Sequence, residues 1–228
     1  MKNKVAINAN HYIFTVNKDS LAHDDINTII EVQENAFNKI TQQLGFSSKL
    51  TINYHLLVSP IYCGREFNKQ LINVGCEPIS SYRTNAFAWY PNIICATYNK
   101  SIKAIGCHED THLLAYEYFK QLSSRFITEG LAVAFDEYWQ GIPVHKYSKK
   151  VIEAQSIEIA SIINNNQFDS ISDMITYPIA GSVCLWLIQT YGMEEMKNVY
   201  KESLNNCMYI SEKYQFNDYF NFLRDLPE

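Results

Sequence analysis

The feature that most constrains this fold is a change of pattern near residue 99. Before it, short β-branched runs alternate with helical periodicity; after it, apolar residues recur almost throughout at three- and four-residue steps. Val5 to Val16 reads as a strand. Asp19 or Ser20 can then cap a helix carried by Ile26, Ile29, Ile30, Val32, Ala36, Phe37 and Ile40, which Gly45 stops. Leu50 to Val58 alternates as a second strand, and Cys63 to Ile72 fits a short helix. Thr84 to Trp89 and Ile93 to Tyr98 read as two strands around Tyr90-Pro91-Asn92. Helices follow at about 102–120, 125–139, 147–164, 172–190, 194–205 and 213–224, broken at Gly141-Ile142-Pro143 and Tyr191-Gly192. The pattern predicts one α+β domain over residues 1–228, with an α/β lobe (1–99), an all-helical lobe (100–228) and a cleft between them.

A chain of 228 residues buries roughly 70–75% of its unfolded surface, so it needs neither disulfides nor a metal to fold. Any metal it holds is expected to act rather than to staple. The net charge of −5 and the absence of a basic cluster argue against a nucleic-acid partner. No apolar run reaches the roughly 18–20 residues that span a bilayer, and Asn8, Asn10 and His11 interrupt the core a signal peptide requires. Cys63, Cys76, Cys95, Cys107, Cys184 and Cys207 have no paired spacing, so they read as buried free thiols of a reducing, cytoplasmic compartment.

The chemistry concentrates in His108-Glu109-Asp110-Thr111-His112, an H-E-x-x-H run inside a helical stretch. At about 100° per residue, His112 lies one turn along from His108 and only about 40° around, so both imidazoles can reach one ion. Glu109 projects beside them, placed to act as a general base on a water that the metal activates. For a chain with 6 His, chance yields this run with a probability of about 1%. Ala115 and Phe119 continue the face with packing residues. A hydrolytic zinc site takes three protein donors and leaves a fourth position open. Glu129, seventeen positions after His112 and in the first turn of the next helix, supplies the third. Asp136, two turns along Glu129's face, is the candidate to orient an imidazole from behind, ahead of Asp110, which points elsewhere on its helix.

Together, His108-Glu109-x-x-His112 and Thr128-Glu129-Gly130-Leu131-Ala132 resemble the gluzincin (MA-type) branch of zinc metallopeptidases. That resemblance implies a zincin-like fold and one Zn2+ per chain, held by His108, His112 and Glu129, with Glu109 polarising the water. Ile175 to Val183, which includes Tyr177-Pro178, resembles the tyrosine-bearing helix start of aminopeptidase N-type members. By that resemblance Tyr177 stabilises the oxyanion; His145 is the reserve for this task. A phenol suits it, being a donor that stays un-ionised at neutral pH, and Pro178 suits the first turn of a helix. Ala86, Phe87, Ala88 and Trp89 lie where such domains carry the edge strand that pairs with a bound peptide, and Phe87 and Trp89 are candidates to wall a side-chain pocket. The aminopeptidases hold the substrate's free amine with an acidic residue in that strand. Here no Asp or Glu occurs between Pro78 and Glu109.

The expected function is therefore a zinc-dependent endopeptidase acting on peptides or proteins. The alternatives are a non-hydrolytic zinc-binding module that binds a partner protein, and a hydrolase of a non-peptide amide or ester at the same site.

Overall fold

The computed structural model describes residues 3–227. It is mixed α/β, with a small mixed sheet and a predominance of helix. The chain forms two compact units, one ending at Glu117 and the other beginning at Tyr118.

The first unit opens with β1 (Lys4–Asn8) and β2 (Tyr12–Asn17), an antiparallel pair rather than one long strand. Polar residues at the turn reverse the chain, and the Ala9 N–H donates to the Tyr12 carbonyl. α1 (Leu21–Asp24) and α2 (Ile26–Leu44) follow, the latter ended by Gly45 at φ 67, a left-handed conformation that glycine adopts without strain. β3 (Ile52–Leu57), α3 (Pro60–Asn73), β4 (Ala86–Trp89) and β5 (Ile93–Thr97) complete a sheet ordered β1-β2-β3-β5-β4, in which β4 is an edge. The β2–β3 and β3–β5 pairs are parallel, and β4 runs antiparallel to β5.

Side-chain alternation divides the sheet's faces. Tyr12, Phe14, Tyr54 and Ile94 fill one face, where α2 meets them through Phe37 and Gln33. Leu57, Phe87 and Cys95 fill the other, packed on Cys63 and Phe67 of α3.

The motif helix α4 (Cys107–Phe119) starts five residues later than its periodicity predicts. Lys103 bridges back to Tyr98, and Gly106 at φ 130 holds a conformation that a helix does not contain.

In the second unit α5 (Arg125–Asp136) is shorter than expected. Glu137 turns left-handed at φ 65, and β6 (Tyr138–Trp139) pairs with β7 (Ile142–Pro143), so this half is not wholly helical. α6 (Val144–Gln155) ends at Ser156 with φ 50, and the short α7 (Ile159–Ile162) and α8 (Asn165–Ser170) follow. α9 (Asp173–Tyr191) is apolar on all sides and accordingly buried, packed by α5, by α6 and by α10 (Met193–Glu202). α11 (Tyr209–Lys213) is an additional short helix, and α12 (Phe216–Arg224) after it matches the helix expected at 213–224, with Tyr214 extended between them.

All six cysteines are free, but Cys76 is exposed and Cys207 half-buried, contrary to the expectation of six buried thiols.

Candidate metal centre

α4 presents two faces. On one, the His108 and His112 rings stand edge to face with centroids 5.0 Å apart, as a four-residue step requires. On the other, Asp110 is fully buried and accepts from the Tyr12 hydroxyl at 2.5 Å and from Gln33 Nε2 at 3.0 Å. Gln33 Oε1 also accepts from the Gly106 N–H at 2.7 Å, immediately before α4 begins. The start of the motif helix is thereby tied to α2 and β2. Burial, then the Asp110 charge, drives the Tyr12 phenol well above its ordinary pKa, so Tyr12 stays a donor. Tyr54 is raised likewise, first by burial and then by the Asp110 and Glu109 charges. Asp110 thus belongs to a buried hydrogen-bond network with Tyr12 and Gln33.

Glu129 is 5% exposed and lies one turn into α5. Its position depends on a close helix contact. A Cβ at Gly130 would stand 2.6 Å from Cys184 Sγ and 2.8 Å from the Ala180 carbonyl oxygen, and one at Gly181 would stand 2.3 Å from Val133 Cγ1. Only hydrogen at these positions lets α5 and α9 approach so closely.

One ligand atom each from His108, His112 and Glu129 lie within 4.8 Å of one another. A tetrahedral ion with bonds of about 2.0–2.2 Å spaces its ligand atoms by roughly 3.3 Å. The donors therefore need to draw in by at most about 1.5 Å, within the range of side-chain torsions. Two neutral imidazoles and a carboxylate suit a borderline divalent ion, and three protein donors leave one position open. The residues present fit a metal ion.

No protein-family model and no curated protein matches this chain.

Tyr177 is the fifth residue of α9, half-buried, with its ring between Trp139 and Phe168 at 5.7 Å from each. Pro178 is not in the first turn, as predicted, but inside the helix, because the Ser172 side chain caps α9 one turn earlier by accepting from the Met174 N–H. His145 lies on α6, its Nδ1 2.7 Å from Ser182 Oγ and its Nε2 3.3 Å from Gln189 Oε1. Asp136 is the last residue of α5 and half-buried. Ala86 and Ala88 pair with Ala96 and Ile94 and so share the sheet face of Tyr54. Phe87 and Trp89 point to the other face and meet the Phe67 ring edge-on.

Arg125 is a residue of this site that sequence reasoning missed. It donates from Nη1 to Glu129 at 2.6 Å and from Nε to Asp169 at 3.1 Å, with Nη2 3.5 Å from the Tyr177 hydroxyl. Burial is the largest influence and opposes its charge, but Glu129, Tyr177 and Asp169 together outweigh it and raise its pKa above the ordinary value. The readable signal was its i,i+4 spacing to Glu129.

Proposed function

We propose that this protein is a zinc-dependent endopeptidase of zincin-like fold. The observation that carries the reading is the convergence of the His108, His112 and Glu129 donors, with Glu109 next in sequence to the first of them. A zinc ion there would lower the pKa of a water and polarise the scissile carbonyl.

The chain's own residues supply the rest. Glu109 accepts the proton of the attacking water and passes it to the leaving amine. Tyr177 donates a hydrogen bond to the oxygen on which negative charge develops. β4, the last strand of its sheet, offers main-chain groups to an extended peptide, and Ala86 and Ala88 keep the face on the motif-helix side shallow. Phe87 and Trp89 are engaged with α3, so they support the strand from behind rather than walling a pocket. Between Pro78 and Glu109 the chain has no carboxylate to offer a substrate's free amine, which favours cleavage within chains.

The deciding experiment is hydrolysis of unfolded protein substrates, with metal analysis of the same samples. The wild type is expected to hold one zinc per chain and to lose activity to a chelator and regain it with zinc. Glu109→Gln is expected to keep its zinc and lose activity by about 10²–10⁴-fold. An undiminished Glu109→Gln variant, or a wild type that takes up no zinc, sinks the reading.

A further inference from the structure

Arg125 engages three neighbours through three different nitrogens. Nη1 donates to Glu129 Oε1, Nε to Asp169 Oδ1 in α8, and Nη2 lies against Tyr177 Oη. Its backbone N–H donates to Asn165 Oδ1, also in α8, at 2.8 Å. Exposed ion pairs on a helix contribute little. This pair has one buried end: the Glu129 side chain is 7% exposed and the Arg125 side chain 44%. Glu129 is also flanked along α5 by Thr128 and Gly130, both buried. A carboxylate can rotate about its last torsion and present either oxygen in any plane. A planar guanidinium held at both ends removes that freedom.

We propose that Arg125 is the positioning residue of the third metal donor: anchored to α8 through Asp169, it fixes the plane in which the Glu129 carboxylate faces His108 and His112. The inference rests on the metal-site reading above and adds to it a residue that acts through Glu129. It makes a prediction whose sign separates it from plain electrostatics. A cation beside a divalent ion repels it, so if charge alone mattered, removing Arg125 would tighten metal binding. Removing an orienting partner of a ligand instead weakens binding, by about 10–100-fold. Lysine keeps the charge but lacks the planar fork, so it should not substitute.

The test is zinc affinity of the full chain, measured by competition with a chromophoric chelator. The samples are wild type, Arg125→Gln, Arg125→Lys, Glu129→Ala and the Arg125→Gln/Glu129→Ala double variant, each checked for folding by circular dichroism. Both Arg125 variants are expected to bind zinc about 10–100-fold more weakly than wild type. The double variant should bind no more weakly than Glu129→Ala, because Arg125 acts through the carboxylate that is gone. The visible absorption of the cobalt-substituted proteins should change in Arg125→Gln as it does in Glu129→Ala, which a general loss of packing would not reproduce. If the Gln variant fails to fold, the Lys variant carries the same comparison. Full or tighter zinc binding by either Arg125 variant overturns the proposal, as does a further loss of the same size in the Glu129→Ala background. A wild type that binds no zinc, or a Glu129→Ala variant of full affinity, overturns the metal-site reading and this inference with it.

Discussion

Of the three residues between the two histidines of the motif, Asp110 and Thr111 are buried, so neither is a spacer. Asp110 collects hydrogen bonds from Tyr12 and Gln33, and Thr111 returns its hydroxyl to the Cys107 carbonyl at 2.8 Å. Asp110→Ala would remove the acceptor that Tyr12 and Gln33 share and leave them the Gln33 carbonyl at 2.9 Å and the Gly106 carbonyl at 3.3 Å, a loss of about 1–3 kcal/mol in all. Urea unfolding should show the midpoint falling, and zinc affinity should drop with it as the first turn of α4 loosens. Tyr12→Phe, which removes one donor and keeps the ring, should cost only about 1 kcal/mol. His145 gives a pH dependence of definite sign. Burial lowers its pKa below 6.5 against the opposing bond to Gln189, so the unfolded chain binds the proton first as pH falls. Its contribution to stability is complete above about pH 6.5 and declines on acidification through that value until the folded-state pKa is passed. In His145→Gln the fall in stability between about pH 6.5 and 5 should be shallower than in wild type; an unchanged slope refutes the assignment.

At the scale of elements, the parts that read correctly are those whose residues state their own period. α2 shows its face through Ile29, Ala36, Phe37 and Ile40 and ends at Gly45, and α9 is a continuous apolar run. The β6–β7 hairpin was missed although Gln140 and Gly141 both have positive φ, the signature of the tight turn that a Gln-Gly step between Trp139 and Ile142 encodes. α7, α8 and α11 are too short to display a period, and their positions come from tertiary packing. The candidate donors were legible because four-residue spacing on a helix is local information. Arg125's links to Asp169 and Tyr177 join residues 44 and 52 positions apart, which no periodicity reports. The α5–α9 contact makes its own prediction. Gly130→Ala places a methyl against a backbone carbonyl that cannot swing aside, so it should cost about 1–3 kcal/mol or more and lower Tm by several degrees. A melting curve identical to wild type would mean that the helices do not meet as closely as described.

For the whole molecule, each unit carries its own apolar interior, around Phe14 and Tyr54 in one and around Phe135 and Trp186 in the other. Neither interior is built from the candidate metal donors. Chelation should therefore leave far-UV circular dichroism at 25 °C unchanged while abolishing hydrolysis. Zinc at 100 times its Kd should raise stability by about 2.7 kcal/mol, read as a higher Tm. A chain that unfolds on losing metal would contradict this. Among the described residues no helix is long and apolar enough to cross a membrane.

The glycine contact between α5 and α9 also bears on how the second unit moves. Most helix pairs meet through side chains that can change rotamer, and so they can slide past one another by a fraction of a turn. At Gly130 the backbone of α5 lies against the Ala180 carbonyl of α9, so a slide of one helix along the other has a backbone atom, and not only a rotamer, to clear. Glu129 and Tyr177 ride on these two helices as fixed marks on one ruler. Whatever breathing the unit undergoes, the spacing between the candidate third donor and the candidate oxyanion donor should be among the last of its dimensions to change.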